Sequence, residues 1–413
     1  MNLLYNLGIS LYAAAARVAT SFNRKAKLMV EGQRLALPTL ARAGLDNHKV
    51  LWLHAASLGE FEQGRPLLEM VRAMNPDIKI VLSFFSPSGY EVRKNFQGAD
   101  AVVYLPFDKP AKMREFIDAV KPDIAIFVKY EFWGNCITTL KKRGVPVYLI
   151  SAIFRPGQVF FKPWGGQFRK ILKAYTHIFV QDRRSAELLK SIGIERVTVA
   201  GDTRFDRVKD IMNTHKDLSE IQAFTASAPF TLVVGSSWPQ DEDVYIPWLH
   251  AHPEVKAICA PHEFDNSRLE TLLKKFGNGA WLYSRYLSEK PQPDSVRYLI
   301  IDSFGLLSSL YAYGDAAYVG GGFGSGIHNI NEAAVYGIPV VFGPRHSKFK
   351  EATDLIGLGG GFSINNAHDC AQVLSEMLAN NQARELAGNI SAEYIRNSIG
   401  ATERIYKKIF KND

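Results

Sequence analysis

A chain of 413 residues is too long for one hydrophobic core and implies about two domains. With 47% hydrophobic and 22% charged residues and no biased tract, it is neither disordered nor fibrous. Three widely spaced cysteines, Cys136, Cys259 and Cys370, argue against a disulfide framework and a cysteine zinc site, while a net charge of +8 leaves nucleic acid, anionic lipid and anionic substrates open as partners.

The chain opens on MNLLYNLGISLYAAAARVATSF. No basic stretch precedes its apolar run, so it does not read as a signal peptide, and Asn6, Ser10 and Arg17 interrupt it too often for a membrane span. On a helix, Leu4, Leu7, Leu11, Val18 and Phe22 form one stripe, with Asn2, Asn6, Arg17 and Arg24 away from it. Residues 1–50 carry seven Lys/Arg against two acids. Residues 1–35 therefore read either as a helix lying in a membrane interface among anionic headgroups or as an amphipathic helix packed on the protein's own core.

Strand-like runs then alternate with helix-length segments: KVLWLHAA, IKIVLSFFS, AVVYLPF, IAIFVKY, PVYLISA, HIFVQD and VTVAGD. The rhythm pauses over a polar stretch and resumes with FTLVVGS, VKAICAP, AWLYS, VRYLIID, AAYVGGG and PVVFGP. This predicts an α/β protein of two doubly wound, Rossmann-like domains, residues 36–210 and 230–413, joined by a linker over 211–229. One or two helices, from about Asn381 to Phe410, close the second. Ligands in such folds bind outside the carboxyl ends of the strands, which places the expected site in the cleft between the domains.

Several polar residues follow strands. Ser57-Leu58-Gly59-Glu60 fits a capping box, so Glu60 is either a helix cap or an active-site carboxylate. Glu131, beside Tyr130 and Trp133, is either a site acid or a first-turn acid favoured by the helix dipole. Arg204 is either a cleft cation or a surface arginine paired with Asp202 or Asp206. His262, Ser303, Asn329 and Glu332 follow strands of the second half, and His54 and His328 are as readily structural. Gly320–Pro344 places five glycines within seven residues after a strand, ahead of a helix expected to end before Gly337, which suits an anion or nucleotide. The spacing matches neither the dinucleotide fingerprint nor a P-loop, and no histidine or acidic spacing suggests a metal.

The set HAASLGE, KYEFW, GDTRFD, APHEFD, DSFGLL and GGGFGSGIHNINEAAVYGIPVVFGP, in this order after the N-terminal helix, resembles bacterial 3-deoxy-D-manno-octulosonic acid (Kdo) transferases over nearly the whole chain. The resemblance implies a glycosyltransferase-B fold, with acceptor bound by the N-terminal domain and nucleotide by the C-terminal one. It implies transfer of Kdo from CMP-Kdo to a lipid A precursor in lipopolysaccharide biosynthesis, at the cytoplasmic face of the inner membrane, without a metal or other cofactor. Carried over by position, Glu60 is the base, and Glu131 and Arg204 stabilise the transition state. Pro261, His262, Phe304, Gly305, Leu306, Asn329, Ile330, Asn331 and Glu332 are the CMP contacts. The chain departs from the family pattern at Lys129 (an acid is usual), Arg204 (a lysine), His262 (an arginine) and Leu306 (a glutamate).

Two other readings stay open from the residues: a UDP-sugar epimerase of the same architecture, and a non-catalytic protein binding membrane or RNA through its positive charge. No RNA-recognition signature supports the last.

Overall fold

The computed structural model describes residues 3–213 and 216–411; Asn2, expected off the N-terminal stripe, and residues 214 and 215 of the expected linker lie outside them. Short runs of branched and aromatic residues, buried on both faces, build two all-parallel sheets, each of seven strands among the described residues. The first comprises β1 (Val50–Ala55), β2 (Lys79–Phe84), β3 (Ala101–Tyr104), β4 (Ile124–Val128), β5 (Val147–Ala152), β6 (His177–Val180) and β7 (Val197–Val199), ordered β3-β2-β1-β4-β5-β6-β7. The order reverses between β1 and β4, which pair directly with Leu51 opposite Ile124 and His54 opposite Phe127. Residues leaving the carboxyl ends of these two strands therefore flank the crevice where doubly wound sheets bind ligands.

The second comprises β8 (Thr231–Ser237), β9 (Lys256–Pro261), β10 (Ala280–Leu282), β11 (Tyr298–Ile300), β12 (Ala316–Val319), β13 (Val340–Phe342) and β14 (Gly361–Ser363), ordered β10-β11-β9-β8-β12-β13-β14. Here the reversal lies between β8 and β12. All of these strands but β14 coincide with runs read from the sequence. β14 is three residues, Gly-Phe-Ser, on the sheet edge, too short and too poor in branched residues to announce itself.

By internal contacts the chain divides into Met1–Asp206 with Ile399–Asp413, and Arg207–Ser398. The two closing helices are Asn381–Ser398 and Ala401–Phe410. The last belongs to the first unit, whereas the sequence rhythm grouped it with the second. Ile405, Tyr406 and Ile409 join the core that holds Phe61, Leu68 and Val71 of the helix α3 (Leu58–Met74). Asp206 accepts from Gly400 N at 2.5 Å and Thr402 N at 2.7 Å, satisfying that last helix's amino end.

The N-terminal segment is two helices, α1 (Leu3–Ala19) and α2 (Arg24–Ala41). α1 buries its small residues, Ala13 and Ala16, against Met29, Val30, Tyr104 and Phe107. Its large residues Leu3, Leu4, Leu7, Leu11 and Val18 face solvent, as does Phe22 beyond it, 79% exposed. Asn6, off the stripe, points inward and accepts from Asn135 Nδ2 at 2.8 Å. Tyr5 donates its hydroxyl to buried Asp108 at 2.6 Å and accepts from Gly134 N. Asp108 in turn accepts from Asn135 N and Cys136 N, so one carboxylate caps the helix Gly134–Lys142 and ties α1 to the body. Burial raises that carboxyl to about 6 against the pull of these donors. No helix among the described residues is long and apolar enough to cross a membrane.

Candidate active site

Glu60 sits in the first turn of α3, immediately past β1. Its Oε2 accepts from Ser57 N and from Ser57 Oγ, both at 2.9 Å. The carboxylate thus closes the helix end as a capping box does, but both bonds fall on one oxygen, and neither uses Oε1. Burial, and then the like charge of Glu131, raise Glu60 above the ordinary carboxylate range, while the Ser57 bonds and Lys129 pull it down. A helix amino end alone argues for a weak base awaiting desolvation by substrate; the folded protein already supplies part of that desolvation.

Glu131 follows β4 and is 4% exposed. It does not lie in a helix first turn: the next helix begins at Gly134 and is capped by Asp108. Instead its Oε2 accepts from His54 Nε2 at 3.1 Å and from the indole N–H of Trp133. Its backbone carbonyl accepts from the Tyr175 hydroxyl. His54, fully buried at the end of β1, turns Nδ1 toward Ser83 Oγ at 2.9 Å, and that hydroxyl accepts from Trp52 Nε1 at 2.7 Å. Nδ1 also lies 3.1 Å from the Ser83 carbonyl oxygen, so the ring is held between the Ser83 hydroxyl and carbonyl on one side and the Glu131 carboxyl on the other. His54 is therefore a structural support of the second carboxylate. Lys129, at φ 71°, lies between the two acids in sequence and charge: it leaves β4 in a left-handed turn, and its field lowers Glu60.

Arg204 is held by Asp202, through Nε at 2.9 Å and Nη2 at 2.7 Å to the same oxygen. Asp202 is buried and also accepts from Gln63 Nε2, one turn beyond Glu60. Thr203 donates to the Gln63 carbonyl, so the whole GDTR turn is docked on α3. The structure unites Glu60, Glu131, His54 and Lys129, and links Arg204 to them through Asp202 and Gln63.

In the second unit, the reversal point gathers three rings. Trp238 follows β8, His262 follows β9, and His328 lies past the glycine loop after β12. The Trp238 and His262 centroids are 4.7 Å apart, and His262 stacks on His328 at 4.2 Å. Trp238 Nε1 donates to His328 Nε2 at 3.1 Å. Burial and the neighbouring His262 lower His328 to about 4, which keeps that nitrogen an acceptor. Pro261 ends β9 paired with Ser237, fixing where His262 emerges. Phe304 is 80% exposed and stacks on Phe264 at 4.7 Å. Gly305 then turns at φ 80°, and Leu306 O accepts from Ser309 N at the start of the short helix Leu307–Leu310.

The glycine loop differs from the anion cradle its sequence suggests. Gly320, Gly321, Gly324, Gly326 and His328 spend their amide N–H groups inside the fold, Gly321 on buried Asp241 at 2.9 Å. A Cβ at Gly320 would meet Ser236 O at 2.3 Å, and one at Gly322 the Gly343 backbone at 2.5 Å, so close backbone approach accounts for two of the glycines. The helix that follows is one turn, Asn331–Ala334. Asn329 Nδ2 donates to Glu332 Oε1 at 2.9 Å, and its side-chain Oδ1 accepts from Asn331 N. Ile330 is buried, Asn331 Oδ1 is buried without a partner among the described residues, and burial raises Glu332 while Arg207 lowers it.

The sequence reading passed over Trp238 and Ser83. Trp238 obeys the same after-a-strand rule as the other site residues; Ser83 lies inside β2 and gives no signal. Among the described residues no group of three His, Cys, Asp or Glu could hold a metal ion.

A family model described as 3-deoxy-D-manno-octulosonic-acid transferase (kdotransferase) matches residues 31–207, which contain Glu60, Glu131 and Arg204. The 3-deoxy-D-manno-octulosonic acid transferase of Aquifex aeolicus is 28% identical over 338 residues, spanning 80% of this chain and 86% of that one. Those of Rickettsia prowazekii and Haemophilus influenzae are each 26% identical, spanning 88% and 86% of this chain and 78% and 85% of theirs. In fold, the chain resembles UDP-GlcNAc 2-epimerase from Neisseria meningitidis (TM-score 0.60, 15% identity, 88% of this chain and 100% of that one). It also resembles MurG from Acinetobacter baumannii (TM-score 0.56, 10% identity, 88% and 99%). The architecture is thus of glycosyltransferase-B type, and the chain is similar in sequence to Kdo transferases over most of its length.

Proposed function

We propose that the protein moves Kdo from CMP-Kdo to a hydroxyl of a lipid A precursor, with Glu60 as the general base. The observation that carries this is the pair Glu60 and Glu131 at the reversal point of the first sheet, one acid raised by burial and by its neighbour, the other pinned by His54 and Trp133. Kdo's anomeric carbon is fully substituted, so loss of CMP develops an oxocarbenium-like centre, and the attacking hydroxyl must shed a proton. Glu60 Oε1 takes that proton while Oε2 keeps its Ser57 bonds; the base acts without leaving its helix end. Glu131, held by His54 and Trp133, faces developing positive charge. Arg204, aligned by Asp202, offers a cation to an anionic substrate. CMP, with Phe304 as an exposed ring for its base, binds beside Trp238, His262 and Asn329–Glu332, at the carboxyl ends of β8, β9 and β12. The loop amides left for its phosphate are fewer than the glycine count implies.

The protein acts as a peripheral enzyme on the cytoplasmic face of the inner membrane, held by the exposed leucine face of α1 and by anionic lipid near its basic segment. Likeness in fold to the epimerases is shared architecture at 15% identity and assigns no substrate.

The test is Glu60→Gln, which keeps an acceptor for Ser57 but cannot take a proton. Turnover, read by mass spectrometry of the lipid product, falls roughly 10²–10⁴-fold, with CMP affinity unchanged. Near wild-type turnover removes Glu60 from the base role.

A further inference from the structure

A cavity of about 200 Å³ opens between α1, α2 and the helix Pro110–Val120. It is larger than the roughly 150 Å³ apolar cavities known to admit benzene. Val30, Leu37, Phe107 and Phe116 form its walls. Its rim carries Arg17, Arg34 and Lys109, none ion-paired with an acid among the described residues, and Lys112, which pairs with Glu115 at 2.8 Å. Gln33 lines the cavity, and its amide Nε2 is buried with no hydrogen-bond acceptor among the described residues. An apolar chamber with an unspent N–H donor and a cationic rim is the complement of a phosphorylated acyl lipid: the chain enters, a carbonyl or hydroxyl near its head meets Gln33, and the phosphate stays at the rim.

The cavity is also joined to the candidate active site. Trp133, which donates to Glu131, lies 4.7 Å from Phe85. Phe85 lies 6.0 Å from Phe107, a wall of the cavity, and Tyr12 of α1 packs on both. The geometry points to this cavity as the subsite for one acyl chain and one phosphate of the acceptor itself, rather than for bulk membrane lipid; this rests on the transferase reading above. Anchoring there holds the acceptor's sugar toward Glu60 and Glu131 while the rest of the lipid stays with the exposed face of α1.

Binding and turnover are measured separately on the full chain. The probes are a tetra-acylated glucosamine disaccharide bisphosphate in detergent, its fully deacylated form, and phosphatidylglycerol vesicles. Leu37→Trp fills the cavity and raises the dissociation constant of the acylated probe about tenfold, leaving the deacylated probe, CMP and the vesicles as in wild type. Arg34→Gln, on the surface, weakens both disaccharide probes about tenfold and keeps the fold if Leu37→Trp loses it. Unchanged affinity of Arg34→Gln and of a folded Leu37→Trp for the acylated probe overturns the subsite. So does a matching loss of vesicle binding, which assigns the cavity to bulk lipid. If the wild type binds the acylated probe through the cavity but transfers no Kdo, the subsite stands and the transferase reading falls.

Discussion

Lys129 shows how one side chain tunes a neighbour it does not touch in sequence. Its charge lowers Glu60 while burial and Glu131 raise it. Lys129→Gln removes the lowering influence, so Glu60 holds its proton to higher pH, and the acid limb of the kcat/KM–pH profile moves upward; an unmoved limb would show that Glu60 is not the group titrating. The same raised carboxyl has a consequence for stability. Between the ordinary carboxylate value and the folded one, the native state binds a proton that the unfolded chain has released, so stability falls as pH rises through this window. Glu60→Gln removes that loss, and at neutral pH the variant is expected to melt no lower than wild type. His54 offers a second residue-level test. His54→Phe takes a donor from Glu131 and lowers kcat more than it raises KM, whereas His54→Gln, which carries a side-chain N–H, restores part of the loss; equal damage from both would assign His54 to packing alone. Glu60 and Glu131 were legible because acids after parallel strands are exposed to one rule of topology. The His54–Ser83–Trp52 chain was not, because each member lies inside or at the end of a buried strand and gains meaning only when β1, β2 and β4 are aligned.

At the scale of elements, α1 inverts the usual amphipathic arrangement: it buries alanines and exposes leucines. From sequence, a leucine stripe fits a core-facing or a membrane-facing helix equally, since periodicity gives the stripe but not its direction. The inward ties of Tyr5 and Asn6 settle which side faces the protein. The docked face and the face proposed to meet the membrane are therefore opposite and separable by mutation. Leu7→Glu with Leu11→Glu changes only exposed positions, so folded stability should stay within about 0.5 kcal/mol per site, while the protein moves from the membrane to the soluble fraction. Tyr5→Phe does the converse: it leaves Gly134 N without its acceptor and loosens α1, at a cost of about 1–3 kcal/mol, seen as faster amide exchange across α1. Loss of stability in the leucine double variant would mean that this face packs on protein.

At the scale of the molecule, both sheets follow one plan: parallel strands, a reversal of order, and the polar residues of interest at the strand ends beside it. That plan was readable because buried parallel strands are near-continuous apolar runs whose spacing survives in a single sequence. Which unit owns the chain's end was not readable, because that depends on a contact between residues about two hundred positions apart. Asp206 supplies it, accepting from Gly400 N, Thr402 N and the Thr402 hydroxyl, so an acid in the GDTRFD segment caps the last helix. The same segment carries Arg204, two residues earlier and held by Asp202. Asp206→Ala should cost about 0.5–2 kcal/mol, the range for losing a helix cap, and the loss should be local. Amide exchange should accelerate across residues 401–410 and leave 381–398 unchanged, because the latter helix belongs to the other unit. Thr402→Val, which keeps the backbone donors, should show only a small part of the effect. If exchange instead accelerated equally through both helices, the two would form one cooperative unit, and the assignment of the chain's end to the first unit would have to be abandoned.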